Sequence, residues 1–210
     1  MSKIFLVRHA QTAWSKENRY TGTSDISLTD VGHEQSTLLA KRFALSNGPI
    51  TAVYSSSLLR SIETAEIIAR RLSLTVCKIP EFDELNYGLW EGLKPAEVLS
   101  KFPKEYQRWT RNPALASPSK GESGKLLVRR AEPTLEHLAT KHSDEAIVIV
   151  GHKALNRLLI CSQLGIPLKR CRDVMEQDEA CLNVLSFARV TGVRLLKLND
   201  TSHWDGYVYS

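Results

Sequence analysis

Phe5-Leu6-Val7-Arg8-His9-Ala10-Gln11-Thr12 is an apolar run that stops abruptly at a cation and an imidazole, within the first dozen residues of the chain. Ile4 to Val7 are four consecutive apolar residues, the length and β-branched character of a strand buried on both faces of a parallel sheet. Arg8 and His9 then fall at its carboxyl end, the edge at which open α/β sheets bind ligands. An arginine beside a histidine at that edge suits an anion, whereas the same pair on a bare surface would carry no chemistry. The rest of the chain decides between them.

The pattern recurs at Ala146-Ile147-Val148-Ile149-Val150, apolar throughout and stopped by Gly151-His152-Lys153. A second buried strand thus delivers a second histidine to the same edge, and Ala154 to Leu164 follows as a helix ended by Gly165-Ile166-Pro167. Between the two strands, Ala13 to Leu28 is polar and turn-rich, a loop folding back over the strand tip. Thr29 is an N-cap for a helix carried by Gln35 to Leu45 and stopped at Asn47-Gly48-Pro49. Ile50 to Tyr54 is a strand ending in Ser55-Ser56-Ser57, Leu58 to Leu72 a helix, and Leu74 to Ile79 a third short strand. Pro80 to Trp90 reads as a loop with carboxylates at Glu81, Asp83 and Glu84. Glu91 to Lys125 holds Pro95, Pro103, Pro113 and Pro118 without clear periodicity, which suggests an insertion over the site and not a linker. Leu126 to His142 resumes helix, with a kink or later start expected from Pro133. Cys181 to Phe187 and Val193 to Leu198 read as a hairpin joined near Gly192, and the tail after Asn199 is left unassigned. The alternation predicts a three-layer α/β/α fold around a mostly parallel sheet, one domain over 1–210 with a lid or specificity insertion at about 86–125.

The 210 residues are 42% hydrophobic and 24% charged, an ordinary globular balance. No apolar run approaches the ~20 residues of a membrane span and no long apolar segment follows the start, so a cytoplasmic protein without membrane attachment is expected. A net charge of +5 comes from scattered Lys and Arg, which fits small acidic substrates better than nucleic acid. Cys77, Cys161, Cys171 and Cys181 show no metal-ligand spacing and read as free buried thiols. No interface stretch stands out, which leaves a monomer or a homodimer. His33, His137, His142 and His203 have no motif partner and read as surface or supporting residues; Trp90 and Trp109 read as core or lid packing.

Two strand-tip histidines, two arginines and a carboxylate are the parts needed to move a phosphoryl group through an imidazole. Neutral His9 would be the nucleophile. Arg8 and Arg60 would bind non-bridging oxygens, since a guanidinium matches phosphate in a bidentate way, and Arg60 falls at a helix start where free amides also favour an anion. His152 would add a third, cationic donor. Glu84 would protonate the leaving alkoxide and later activate water, with no metal required.

These residues resemble the histidine phosphatase superfamily, which includes cofactor-dependent phosphoglycerate mutases and many small-molecule phosphatases. Leu6-Val7-Arg8-His9 is similar to its nucleophile motif, and Glu17-Asn18-Arg19-Tyr20 through Gly22, Asp25, Leu28-Thr29 and Gly32 to the loop and helix entry that follow. Ser55-Ser56-Ser57-Leu58 with Arg60 and Thr64-Ala65 resembles the second arginine motif, Glu84 with Tyr87-Gly88, Trp90-Glu91-Gly92 the proton-donor segment, Gly121-Glu122-Ser123 the mid-chain turn, and Val150-Gly151-His152 the second histidine. The likeness spans about residues 3 to 187. It implies a phosphoglycerate mutase-like fold, His9 as nucleophile, Glu84 as acid and base, and Arg8, Arg60 and His152 as phosphate ligands. It implies phosphate contact for Asn18 and places Thr23 in the substrate-facing loop. Two departures are Ala10, where Gly is usual and where no cost is expected unless φ must be positive, and Lys153-Ala154, which adds a cation by the site and bears on substrate preference. The expected activity is hydrolysis of a small phosphorylated metabolite, with a mutase or a non-catalytic phospho-ligand binder as alternatives; the mutases of this family are longer, and every catalytic residue is present here.

Overall fold

The computed structural model describes residues 1–45, 48–188 and 192–204. Its strands are β1 (Ser2–Arg8), β2 (Ile50–Ser55), β3 (Val76–Lys78), β4 (Ala146–Gly151), β5 (Leu182–Ala188) and β6 (Gly192–Asp200). Its helices are α1 (Ala13–Lys16), α2 (Asp30–Ala44), α3 (Leu59–Arg71), α4 (Pro95–Lys101), α5 (Pro103–Arg111), α6 (Gly124–Lys141) and α7 (Lys153–Gln163). The sheet order is β3-β2-β4-β1-β5-β6, with β3, β2, β4 and β1 parallel and β5 and β6 added antiparallel.

Alternation along the strands divides the core between two helical layers. Ile4, Leu6, Ile147 and Ile149 pack with α6 and α7 through residues such as Leu127, Leu135, Leu155 and Leu159. Val7, Val148 and Val150 point the other way, against Leu39, Ala40 and Phe43 of α2 and Ala65, Ile68 and Ala69 of α3. The result is the expected α/β/α sandwich. Because the carboxyl halves of β1 and β4 are buried on both faces, they read as continuous apolar runs.

Several local expectations are corrected. Ala13–Lys16 is one helical turn, capped by Thr12, inside what reads as loop. Pro95 and Pro103 do not break structure; each begins a helix, at the position where proline's fixed φ helps and its missing N–H costs nothing. The supposedly aperiodic stretch therefore holds α4 and α5. Helix α6 starts earlier, at Gly124 with Ser123 as N-cap, and runs through Pro133. A mid-helix proline costs ~3 kcal/mol, yet burial of Leu127, Leu135 and Leu138 contributes roughly 1.5–3 kcal/mol each and outweighs it. Strand β3 is shorter than read, and Cys77 on it is exposed while the other three cysteines are buried. His33 and His137 are exposed, but His142 is buried, its ring nitrogens 2.8 Å from the Tyr54 hydroxyl and 2.6 Å from Glu145. The helix stop at Asn47 and the hairpin connection at 189–191 lie outside the described residues. Among the described residues no helix is long and apolar enough to cross a membrane.

Candidate active site

The strand order brings three chain ends to one edge. β1 and β4 run in register with Arg8 opposite Gly151, so His9 and His152 emerge side by side. His9 N–H donates to Gly151 O (3.0 Å) and Ser56 N–H to Val150 O (3.1 Å), which fixes the first residues beyond β1 and β2 against β4. The two imidazole centroids lie 5.3 Å apart. Arg8, His9, Asn18, Arg60 and Glu84 line one cavity of about 440 Å³, together with Tyr106 and Trp109 of α5, whereas His152 is fully buried behind His9 and outside that lining.

Backbone carbonyls fix His9, Arg8 and Arg60. His9 Nδ1 donates to the carbonyl of Ala10 at 2.8 Å, so Nε2 carries the lone pair in the neutral ring. Arg60, fully buried, donates to Ser24 O (2.9 Å) and Gly22 O (2.7 Å), and Arg8 to Gln177 O (2.8 Å). Arg8 Nε, Arg60 Nε and His152 Nδ1 are buried without a hydrogen-bond partner among the described residues. Orphaned buried donors are costly, and three of them around one imidazole form a cage suited to a tetrahedral anion. Ala10 N–H donates to Thr64 Oγ1 (3.1 Å), and Ala10 is not among the residues with left-handed φ, so the residue after His9 needs no glycine.

Burial, then Arg60 and Arg8, hold the His9 imidazole well below its ordinary pKa. The same causes, with His9 itself, depress His152. Burial and the neighbouring cations thus work against the charge expected on His152 from the sequence. Ser56 Oγ, which accepts from Leu58 N–H (3.3 Å), is 2.7 Å from His152 Nε2 and can donate to it. That assignment leaves Nδ1–H as a neutral donor. Burial also pushes Arg60 down to about 10, which keeps it charged at neutral pH.

Glu84 sits on the first turn of α7, accepting from Ala154 N–H (3.0 Å), Leu155 N–H (3.1 Å) and its neighbour Leu85 N–H (2.8 Å). Its loop is pinned by Arg130, which donates to the carbonyls of Glu81, Asp83 and Glu84 and to Glu122 Oε1. Gly121 packs directly on the same loop, where a Cβ would stand 2.4 Å from Asn86 O. Thus Gly121-Glu122-Ser123 braces the Glu84 loop and caps α6, a role its sequence spacing does not announce; Arg130 carries no motif signal at all.

Thr23 is not brought to the cavity. It is exposed, and its N–H and hydroxyl both donate to Glu91 Oε1 (2.9 and 3.1 Å). Glu91 also accepts from Ser24 N–H, Ser24 Oγ and Tyr87 N–H, so one carboxylate ties the 22–24 turn to the segment after Glu84. Gly22 (φ +53°) passes so close that a Cβ would lie 2.0 Å from Glu91 Oε1. The turn presents the two carbonyls that hold Arg60. Glu91 stands in a quoted motif, but only its partners reveal its task.

Together the groups offer a nucleophilic imidazole nitrogen, an anion cage and a carboxylate for proton transfer. Among the described residues, no group of three or more His, Cys, Asp or Glu side chains is placed to hold a metal ion.

The model of the histidine phosphatase superfamily, branch 1, matches residues 4–201. Phosphoserine phosphatase 1 of Hydrogenobacter thermophilus is 34% identical over 203 residues, which cover 97% of this chain and 94% of that one. YhfR of Bacillus stearothermophilus has the same fold, with a TM-score of 0.89 at 24% identity over 97% of this chain and 99% of its own. A phosphoserine phosphatase mutant of Entamoeba histolytica, solved in complex with phosphoserine, gives a TM-score of 0.86 at 25% identity over the same shares.

Proposed function

This chain belongs to the histidine phosphatase superfamily, and on that premise we propose that it is a metal-independent phosphomonoesterase acting on a small phosphorylated metabolite through a phosphohistidine at His9. That the protein is a phosphatase follows from the family match and its phosphoserine phosphatase relatives. The observation that carries the finer reading is the His9 ring, fixed by Ala10 O with Nε2 unprotonated and surrounded by unpartnered buried donors.

In the first step His9 Nε2 attacks phosphorus in line, the P–O bond to the alcohol breaks, and Glu84 gives a proton to the leaving alkoxide. In the second, water attacks phosphorus, the P–N bond breaks, Glu84 takes the water proton, and phosphate leaves a neutral His9. Arg8, Arg60, His152 and Asn18 hold the non-bridging oxygens, where positioned charge does most of the catalytic work. Thr23 serves through its turn and not by touching substrate. The chain acts as one domain, with residues 86–125 as the lid that sets specificity; the position of Tyr87, Tyr106 and Trp109 on the cavity wall supports this. Phosphoserine is the first substrate to test, because it is what two of the similar proteins are named for.

The test is phosphate release in excess chelator from p-nitrophenyl phosphate, phosphoserine, 3-phosphoglycerate, α-ribazole phosphate and sugar phosphates, with rapid-quench labelling of the protein. Chelator-insensitive turnover and label on His9 are expected. Folded protein that releases no phosphate, or turns over without labelling, overturns the reading, and phosphate exchange between phosphoglycerates replaces it with a mutase.

A further inference from the structure

The cavity carries more positive charge than one phosphate needs. Six cations line it, Arg8, Arg19, Arg60, Lys153, Arg157 and Arg172, against three carboxylates, Glu84, Asp178 and Glu179. Arg8 and Arg60 belong to the phosphate cage. Arg19 is bonded to Glu17 at 2.7 Å, and Arg172 lies 4.3 Å over the Trp109 ring. Lys153 and Arg157 are left over.

These two stand four residues apart on α7, one above the other on the same face, where like charges repel. Arg157 is only 8% exposed, yet its Nε has no hydrogen-bond partner among the described residues. One carboxylate already bridges the pair: Glu176 Oε2 is 2.7 Å from Arg157 Nη2 and 3.9 Å from Lys153 Nζ. The Glu176 side chain is itself 68% exposed, so water competes with this ion pair and the carboxylate is easily exchanged.

We propose that Lys153 and Arg157 form a subsite for a second anionic group of the substrate, a carboxylate carried a few bonds from the phosphate ester, for which Glu176 is the internal stand-in. The inference rests on the phosphatase reading and names its substrate class. Lys153 directly follows His152, so a molecule with its phosphate in the cage and its carboxylate on this pair is compact. Lys153 and Arg157 line the same cavity as Arg8, and burial, then Arg8 and Arg157, push the Lys153 ammonium below its usual value against the opposing pull of Glu176 and Asp178. A bound carboxylate relieves that repulsion.

The test uses substrate pairs that differ in the carboxylate alone: phosphoserine against phosphoethanolamine, and 3-phosphoglycerate against glycerol 1-phosphate. The ratio of kcat/KM within each pair is measured for the wild type, Lys153→Gln, Arg157→Gln, Arg157→Lys and Glu176→Gln. Because it is an internal ratio, general loss from poor folding cancels. The wild type is expected to favour the carboxylate by roughly tenfold or more, as a charge-assisted site does. The ratio should fall toward one in Lys153→Gln and Arg157→Gln through KM, recover in Arg157→Lys, and rise in Glu176→Gln, where the competing carboxylate is gone. Turnover without preference in the wild type, or a ratio that no variant moves, overturns the subsite alone. No turnover of any ester by folded wild type overturns the phosphatase reading and the subsite with it.

Discussion

His9 donates its Nδ1–H to the carbonyl oxygen of Ala10 across 2.8 Å, and that bond decides which nitrogen can act. With Nδ1 engaged, Nε2 is the lone pair in the neutral ring. His9→Ala should therefore cut phosphate release by roughly 10³–10⁶-fold, the range seen when a nucleophile is removed, while circular dichroism and thermal unfolding stay close to wild type. Turnover within tenfold of wild type would remove His9 from the reaction.

The depressed imidazoles of His9 and His152 make stability pH-dependent with a defined sign. The unfolded chain protonates these groups near the ordinary value of 6.5, whereas the folded protein does so only at lower pH. Through that window the unfolded state holds more protons, so unfolding free energy rises with pH and falls as acid is added from about 6.5 downward. Urea midpoints should drop between pH 7 and 5, and the slope should be shallower in His9→Ala. In kcat/KM the acid limb due to His9 should lie below the usual histidine range, since the nucleophile stays neutral there.

Glu84 accepts from the backbone N–H groups of Ala154 and Leu155 at the start of α7, which fixes a carboxyl group beside the phosphate cage. Glu84→Gln keeps an acceptor for one of these amides and loses the transferable proton. Alkyl phosphates, whose alkoxides need that proton, should slow by about 10²–10⁴-fold, while p-nitrophenyl phosphate should lose far less. Equal losses on both would deny Glu84 the role of acid.

The sheet and its histidine-bearing edge are legible because the carboxyl halves of β1 and β4 are buried on both faces, which forces unbroken apolar runs that end where the ligand edge begins. The insertion is not legible by the same rule. Pro95 and Pro103 look like breakers until their place at the first helical position is seen. Pro133 misleads in the opposite direction, because tertiary burial along α6 overrides local preference. The residues expected to bind phosphate carry motifs, whereas those that hold them do so through folded contacts. Gln177 offers Arg8 a backbone carbonyl, which any residue has, and so leaves no trace in the sequence. The pressure against a charged His152 is hidden too, since its burial beside Arg60 exists only in the folded chain.

Glu91 acts on the cavity only through other residues. Its carboxylate receives five donors, from Thr23 N and Oγ1, Ser24 N and Oγ, and Tyr87 N, and so fixes the turn whose Gly22 and Ser24 carbonyls orient Arg60. Glu91→Gln replaces one acceptor oxygen with an NH2 that faces donors, so at least one hydrogen bond becomes a clash of like groups. A hydrogen bond to a charged group is worth about 1.5–3 kcal/mol, and a comparable drop in urea-unfolding free energy is expected. Positioning adds a signature that lost stability alone does not. With the turn loosened, Arg60 samples orientations unsuited to phosphate, so KM for every phosphomonoester should rise together, about tenfold, and inorganic phosphate should inhibit more weakly by the same factor. Under conditions where the variant is fully folded, unchanged KM and phosphate inhibition would reduce Glu91 to a structural tie.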